Sequence, residues 1–289
     1  MKTQREVVRL VAAHRQLEGG GFTVRRPFPS VGLSQVDPFL LVDELGPVDY
    51  APGRAVGAPD HPHRGFETVT YVLEGESEHE DSAGHRGFIG PGDVQWMTAG
   101  AGVVHAEMPS RRMQEQGGRM HGFQVWVNLP KKDKFIEPRY QELKSALMPT
   151  AQTPDGLAKV KVIAGEALGR NAAIETRTPI VYQHWSLQPG AVVEQPLPPP
   201  FNAFVYVFEG EASLGQPGRL TRDGTMAMLG PGDVLTLSAP AVATELLLLA
   251  GVPLQEPMVR WGPFVMNEPH ELEQAAADFQ AGKMGAIRR

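Results

Sequence analysis

The chain contains a repeat: Tyr71-Val72-Leu73-Glu74-Gly75-Glu76 returns 135 residues later as Tyr206-Val207-Phe208-Glu209-Gly210-Glu211. A second pair follows in the same order, Gly90-Pro91-Gly92-Asp93-Val94 and Gly230-Pro231-Gly232-Asp233-Val234. Two matched motifs in the same order indicate a duplicated domain.

Each copy has the sequence pattern of a β-domain. A run rich in β-branched and aromatic residues leads into an acidic-glycine turn, and a Pro-Gly-Asp turn then opens another strand. The clearest strands are 68–73 and 204–208, while 123–128 alternates apolar and polar residues as a half-buried strand does. Short strands separated by turns predict an all-β fold, either a sandwich or a barrel.

The length of the chain predicts two domains, since 289 residues exceed what one hydrophobic core usually holds. We expect an N-terminal metal-binding domain over 1–130 and a C-terminal domain without metal ligands over 157–289. The Pro- and Lys-containing segment 131–156 is expected to connect them.

Few helices are predicted. The best helical pattern covers 268–283, with Asn267 as N-cap, so the C-terminal domain is expected to end in a helix. A shorter helix is predicted near 140–147, inside the connector. The apolar stripe of the C-terminal helix is formed by Leu272, Ala275, Ala276 and Phe279.

Composition and charge narrow the class of function. A net charge of −6 argues against direct nucleic-acid binding, which depends on clustered Lys and Arg. No apolar run is long enough to cross a membrane and the N-terminus lacks an apolar leader, which predicts a cytoplasmic protein without membrane association. Because the chain has no cysteine, any metal must be held by imidazole and carboxylate.

Two pairs of side chains have the spacing of metal ligands. His61 and His63 lie two residues apart, which places both imidazoles on one face of an extended chain. His105 and Glu107 have the same spacing on a second predicted strand, after the glycine turn at 99–102. In a barrel these four side chains can converge on the interior. Three imidazoles and one carboxylate suit one divalent ion, with Fe(II), Mn, Ni, Cu and Zn as candidates.

The other histidine-rich and proline-rich segments have simpler interpretations. His79 and His85 flank a polar hairpin tip and are interpreted as solvated turn residues. The Pro-rich run 196–200 is interpreted as a rigid loop that replaces the lost ligands. At the offsets of the two repeated motifs, the second copy offers Pro196, Pro198, Glu245 and Leu247 in place of the four ligands. We therefore expect one metal per chain.

The residues around the candidate ligands resemble the pirin family. The resemblance is carried by Asp60-His61-Pro62-His63-Arg64-Gly65-Phe66-Glu67-Thr68-Val69, Gly92-Asp93-Val94-Gln95-Trp96-Met97-Thr98-Ala99-Gly100 and His105-Ala106-Glu107-Met108. It extends to Asp37-Pro38-Phe39, Trp126-Val127-Asn128-Leu129-Pro130 and Gly262-Pro263-Phe264-Val265-Met266-Asn267. The resemblance implies a bicupin, two jelly-roll-like β-barrels in tandem, with one metal ion, commonly iron, in the N-terminal barrel.

The resemblance also implies the ligand set His61, His63, His105 and Glu107. The broader cupin pattern takes its carboxylate from a glutamate four residues after the second histidine, here Glu67. We favour Glu107 and interpret Glu67 as an acceptor that orients a ligating imidazole, the alternative being a plain structural hydrogen bond. Candidates for the wall of the pocket are His121, Phe123 and Met97.

Function is implied by the resemblance alone, because several pirins act as quercetinases. The expected activity is an oxidoreductase that cleaves a flavonol such as quercetin with O2, with Glu107 as both ligand and proton acceptor. The alternative is a non-enzymatic regulator whose metal oxidation state alters a surface for a protein partner. A storage or carbohydrate-binding cupin is a third hypothesis. The chain is expected to be a monomer.

Overall fold

The computed structural model describes residues 2–288, and strands dominate the chain. From the N-terminus the elements are β1 (Val7–Ala12), β2 (His14–Glu18), β3 (Phe22–Phe28), β4 (Phe39–Tyr50), β5 (Ala58–His63), β6 (Phe66–Glu74), β7 (Ser77–Asp81), β8 (Arg86–Ile89), β9 (Val94–Thr98), β10 (Val103–Pro109), α1 (Arg111–Gln116) and β11 (Gly118–Asn128). They continue with β12 (Arg139–Leu143), β13 (Thr150–Gln152), β14 (Ala158–Ala164), β15 (Glu166–Ala167), β16 (Arg170–Asn171), β17 (Ile180–Leu187), β18 (Ala191–Pro196), β19 (Asn202–Glu209), β20 (Glu211–Leu214), β21 (Arg219–Arg222), β22 (Thr225–Leu229), β23 (Val234–Ala239), β24 (Thr244–Gly251), β25 (Val259–Trp261), β26 (Phe264–Met266) and α2 (Pro269–Gln280). The all-β prediction, with a helix near the C-terminus, is confirmed.

The chain divides into two compact units, and neither is a single contiguous segment. The first barrel consists of 15–35, 39–146 and 254–288. The second barrel consists of 2–14, 36–38 and 147–253. The boundaries expected at 130 and 156 do not describe these units, because both ends of the chain lie in the barrel of the other repeat.

Each barrel contains a seven-stranded and a four-stranded sheet. In the first barrel the orders are β12-β9-β6-β11-β4-β3-β2 and β5-β10-β7-β8. In the second barrel they are β1-β22-β19-β24-β17-β14-β13 and β18-β23-β20-β21. The same order occurs twice, so the sheets bear out the duplicated domain that the repeat indicated.

In each seven-stranded sheet, one edge strand comes from a segment that lies outside the domain boundaries expected from the sequence. In the first barrel the edge is β12, which pairs with β9 and comes from the segment expected to be a connector. In the second barrel the same edge is β1, which pairs with β22. The short helix predicted near 140–147 is therefore wrong: a sheet edge takes up 139–143 as a strand, and only a 3₁₀ turn follows at Ser145–Leu147.

Arg5 fixes the Pro-rich run of the second barrel. Arg5 is 1% exposed, and its guanidinium donates to the carbonyls of Pro198 at 2.7 Å, Phe201 at 2.9 Å and Gly230 at 3.1 Å. A buried cation needs such acceptors, since its desolvation is costly without them. The N-terminal segment thus contributes to the second barrel through side-chain contacts as well as through β1.

Helix α2 belongs to the first barrel and begins at Pro269, one residue later than predicted. Its N-cap is Glu268, not Asn267, and the Glu271 carboxylate accepts from the Glu268 backbone at 2.9 Å. Ala275 is buried beside Val104, whereas Phe279, which was predicted to belong to the apolar stripe, is 40% exposed. Within residues 2–288, neither helix is long and apolar enough to cross a membrane.

Candidate metal centre

Three of the predicted ligands meet where β5 pairs with β10. The strand register places His105 opposite His61 and Val103 opposite His63. One ring nitrogen from each of His61, His63 and His105 lies within 4.8 Å of the others. The alternation that predicted this convergence therefore holds for the three histidines.

The hydrogen bonds of His61 and His63 define which nitrogen faces the cluster. Nδ1 of His61 lies 2.7 Å from the Pro59 carbonyl, and Nδ1 of His63 lies 3.4 Å from the Pro263 carbonyl. A carbonyl only accepts, so each Nδ1 carries the proton and each Nε2 keeps its lone pair. The two Nε2 atoms are 3.1 Å apart. Lone pairs at this distance repel each other unless a cation lies against both.

His105 supplies the third nitrogen from a fully buried ring. It is 1% exposed, and neither ring nitrogen has a hydrogen-bond partner in the described part of the chain. Leaving a buried polar group unpaired costs about 1–3 kcal/mol, which a coordinated metal would remove. Burial, with the neighbouring His63 and His61, holds the pKa of His105 well below its usual range. A neutral imidazole is the form that binds metals.

Burial also holds the pKa of His63 well below its usual range, and the nearby His61 acts in the same direction. Burial therefore disfavours protons on His63 and His105, and one ring nitrogen from each of the three histidines lies at the same point. This donor set fits a divalent metal ion.

Glu107 lies in the cavity wall next to this cluster, with both carboxylate oxygens held. Oε1 accepts from Thr70 Oγ1 at 2.7 Å, and Oε2 accepts from Gln124 Nε2 at 2.7 Å. The Gln124 amide is oriented in turn by Trp126, whose Nε1 donates to Gln124 Oε1 at 3.1 Å. The pairing of β10 with β5 is irregular between His105 and Glu107, so Glu107 lies opposite Ala58, whereas the pairing of β10 with β7 is regular through both residues. Coordination by Glu107 stays a prediction.

Glu67 is buried on β6 and accepts a hydrogen bond from Thr98 Oγ1 at 2.6 Å. This bond is the structural role that the sequence left open. An orienting role toward a ligating imidazole stays a prediction.

The three candidates for the pocket wall are placed elsewhere. His121 lies 2.9 Å from the Glu44 carboxylate through its Nε2. Phe123 is fully buried, and Met97 packs with Ala99 and Val103 in the core. The structure does not bring these three side chains to the cavity beside His61 and His63.

His79 was misread as a solvated turn residue. It is 1% exposed, its ring centroid lies 5.3 Å from that of His105, and it faces Glu107 across the β7–β10 pair. The signal was available in the sequence, because alternation along β7 buries every second residue from Ser77. His85 is exposed as predicted and pairs with the Asp81 carboxylate at 2.9 Å.

The loop after His63 is fixed by a buried lysine. Lys134 is 1% exposed, and its Nζ donates to the Gly65 carbonyl at 2.7 Å, to Asn128 Oδ1 at 2.7 Å and to the Val265 carbonyl at 2.9 Å. Gly65 has a φ of 87°, and a Cβ there would collide with the Val265 carbonyl. This arrangement holds the β25–β26 hairpin against the ligand strand.

The histidine cluster borders a cavity of about 520 Å³ in the first barrel. Its wall combines apolar side chains with charged ones; it includes Phe22, Leu41, Leu45, Trp126, Arg26, Asp43, Arg260, His61, His63 and Glu107. A smaller, mainly apolar cavity shares Phe22, Leu45, Ala58, Glu107 and Gln124 with it. An aromatic molecule placed there would contact apolar walls and the polar groups around the histidines.

In its described residues, the second barrel has no counterpart of the histidine cluster. The sheet orders equate β18 and β23 with β5 and β10. The buried side chains on this strand pair include Val193, Gln195, Leu235 and Leu237. The offset of 135 places Pro196 on β18, the counterpart of β5. The offset of 140 places Glu245 and Leu247 on β24, the counterpart of β11 and not of β10, because the Gly-Pro-Gly-Asp turn precedes β9 in one barrel and β23 in the other, and these strands are not equivalent.

Comparison with known proteins agrees with this architecture. The family model described as Pirin matches residues 21–127, and the model described as Pirin C-terminal cupin domain matches residues 182–285. A pirin-like protein of Solanum lycopersicum is 45% identical and covers 98% of this chain and 94% of its own. Pirin of Homo sapiens is 44% identical and covers 100% of this chain and 97% of its own.

Among solved structures, the crystal structure of quercetin 2,3-dioxygenase from Acinetobacter baumannii superposes with a TM-score of 0.92 at 36% identity. The match covers 98% of this chain and 99% of that one. With both family models matched and with relatives of such identity along nearly its whole length, the chain belongs to the pirin family, and its barrels are cupin domains.

Proposed function

We propose that the protein is a metal-dependent dioxygenase that cleaves a flavonol such as quercetin with O2 and releases carbon monoxide. The observation that carries the proposal is the convergence of three histidine ring nitrogens at the border of a cavity of about 520 Å³. The likeness to the Acinetobacter baumannii quercetin 2,3-dioxygenase supports this substrate class.

His61, His63 and His105 would hold one divalent ion, with Glu107 as the proposed fourth ligand. Iron(II) is the first candidate, and Mn, Ni, Cu and Zn suit the same donor set. When bound, the ion would supply a Lewis acid beside the substrate hydroxyl, and a redox-active ion such as Fe(II) would also supply a redox centre for O2.

Glu107 is the group of this chain that can take the substrate proton. Thr70 and Gln124 each donate to one of its oxygens, so the carboxylate is held in one orientation within the cavity wall. Each oxygen keeps a further lone pair, and one of them can accept the proton of the flavonol 3-hydroxyl.

The apolar side chains of the cavity wall would position the substrate. Phe22, Leu45 and Trp126 provide flat or apolar surfaces that can contact the rings of an aromatic substrate and displace water. Positioning of this kind requires no charge and leaves proton transfer to Glu107.

The experiment is an aerobic incubation of the metal-loaded protein with quercetin, followed by measurement of flavonol decay and of carbon monoxide. Samples loaded with each of Fe(II), Mn, Ni, Cu and Zn are compared with an anaerobic sample and with the His61→Ala plus His63→Ala variant. Turnover that needs both O2 and the histidines supports the proposal. If no metal form releases carbon monoxide above the level of the double variant, the dioxygenase proposal is contradicted, and the protein-partner regulator becomes the working hypothesis.

A further inference from the structure

Arg260 lies on the wall of the metal cavity, on β25 of the hairpin that ends the first barrel. Its guanidinium carbon is 4.6 Å from the centre of the Trp126 ring, the geometry of a cation–π contact. The same indole lies 5.1 Å from His63, measured between ring centroids. Arg260 and a candidate metal ligand therefore contact one aromatic side chain of the cavity.

The two arginines of this wall differ in how they are paired. Arg26 forms a double hydrogen bond with Asp43, at 2.6 and 2.5 Å, and an ion pair with Glu18 at 2.8 Å. Its charge is compensated by the protein. Within residues 2–288, Arg260 forms no ion pair, and its one hydrogen bond is a long contact of 3.5 Å to the carbonyl of Gly262.

Arg260 is exposed at one side of the cavity, and its charge is only partly offset by the neighbouring carboxylates. Partial burial lowers the pKa of Arg260, the positive charge of Arg26 acts in the same direction, and Asp43 and Glu18 oppose this shift. An anionic group from a ligand would relieve this cost, because a hydrogen bond between ions is about twice as strong as a neutral one.

The backbone of Arg260 is fixed by its hairpin, whereas its side chain is available to contact a ligand in the cavity. Arg260 pairs with Val265 in the hairpin register, and Lys134 fixes the Val265 carbonyl at 2.9 Å. The residues of β26 are buried, whereas the Arg260 side chain reaches the cavity. A fixed backbone with an unpaired guanidinium is an arrangement that suits ligand recognition.

We propose that Arg260 is a specificity-determining residue that binds an acidic oxygen, a carboxylate or phenolate, on an aromatic ligand in the metal cavity. The proposal deepens the proposed function, since it assumes that the cavity binds an aromatic substrate. It predicts a preference for aromatic molecules that carry such an oxygen over neutral molecules of the same shape.

The test uses two ligands of similar shape, 2-naphthoate and the neutral 2-naphthylmethanol, with zinc-loaded protein. Binding is followed by the ¹⁵N-indole signal of Trp126, which is assigned by its loss in Trp126→Phe. The variants are Arg260→Gln, which removes the charge, and Arg260→Lys, which keeps it without the planar fork. Arg170→Gln on β16 is the matched control, because Arg170 is exposed and belongs to the second barrel.

We expect Arg260→Gln to raise the Kd of 2-naphthoate about tenfold and to leave that of 2-naphthylmethanol within about twofold, the effect of losing one charge-assisted contact. The Kd of 2-naphthoate for Arg260→Lys should lie between the values for the unmodified protein and for Arg260→Gln. The Kd for Arg170→Gln should match that of the unmodified protein. Comparing the two ligands in each variant cancels the direct attraction of zinc for the carboxylate.

Three results would overturn the proposal: an unchanged naphthoate preference in Arg260→Gln, an equal loss for both ligands, or no response of Trp126 to either. The binding measurement needs no turnover. If the protein binds 2-naphthoate selectively but releases no carbon monoxide, the dioxygenase proposal is contradicted and the proposed role of Arg260 stands. If the protein turns over quercetin but shows no selectivity that depends on Arg260, the dioxygenase proposal stands and the proposed role of Arg260 is contradicted.

Discussion

The Nε2 atoms of His61 and His63 face each other at 3.1 Å, while the Nδ1 atom of His61 donates to the Pro59 carbonyl at 2.7 Å. The backbone thereby fixes the tautomer of His61 before any metal arrives. Such an outer hydrogen bond orients a ligating imidazole and keeps its lone pair on the side of the metal. The cluster is prearranged to bind a cation, and its geometry leads to the first prediction.

One metal ion is expected per chain. The His61→Ala plus His63→Ala variant should lose it, since it removes two of the three converging nitrogens, and His105→Ala should lose most of it. Elemental analysis of purified protein measures both. His85→Ala is the control, because this exposed histidine is outside the cluster and should retain one equivalent. Two equivalents in the unmodified protein, with one surviving in the double variant, would contradict a single site.

Glu107→Gln should separate metal binding from turnover. Glutamine keeps the size and an oxygen donor but loses the charge and most of the basicity, so the metal should remain with weaker affinity. Flavonol oxidation should fall by about 10² or more, the usual effect of losing a positioned base. Metal content and the rate of flavonol decay are measured on the same preparation. An unmodified rate in metal-replete Glu107→Gln would assign proton transfer to another group.

The histidine cluster could be predicted because two-residue spacing on a strand fixes which side chains share a face. The hydrogen-bond partners of Glu107 could not, since Thr70 and Gln124 come from β6 and β11 and no local pattern pairs these strands. His79 was recoverable from alternation, but the polar hairpin tip masked it. Local signals describe one strand at a time, whereas a cavity wall is built from several.

The exchange of chain ends was not predictable for a similar reason. The sequence of β1 is compatible with any sheet edge, and only the completed second barrel offers β22 as its partner. The segment 131–156 is predicted as a connector with a short helix near 140–147, because its prolines and lysines conceal the strand β12. Duplication itself was visible, yet the repeat did not show which edge strand belonged to which barrel.

Removal of the N-terminal segment should therefore damage the second barrel, not the first. The Arg5→Met variant keeps most of the apolar stem of the side chain. It leaves the carbonyls of Pro198, Phe201 and Gly230 without their donor. The free energy of unfolding should therefore fall by about 2–4 kcal/mol. Lys2→Met is the control, because its ion pair with Glu194 is exposed. Thermal unfolding and the intensity of the Trp185 indole signal in the second barrel are measured. A normal Trp185 signal together with unchanged stability in Arg5→Met would contradict this role.

The last prediction concerns Lys134, whose burial lowers its pKa to about 7. The unfolded chain has an ordinary lysine pKa of about 10.4, so between pH 7 and 10 the unfolded state binds more protons than the folded state. The free energy of unfolding should then rise with pH in this window relative to Lys134→Met, which has no titrating group. The increase from pH 7 to 9.5 is on the order of 2–3 kcal/mol at most, and the three acceptors around Nζ reduce it because they favour the charged form.

Urea denaturation of both proteins at pH 7.0, 8.0 and 9.5 measures this difference. Lys132→Met is the matched control: Lys132 is exposed two residues away, and its substitution should leave the pH profile parallel to that of the unmodified protein. If Lys134→Met also runs parallel, the ammonium keeps its proton in the fold, held by the carbonyls of Gly65 and Val265 and by Asn128. The lysine would then act as a permanent charge between the His63 loop and the hairpin that carries Arg260, and its loss should weaken metal binding equally at every pH.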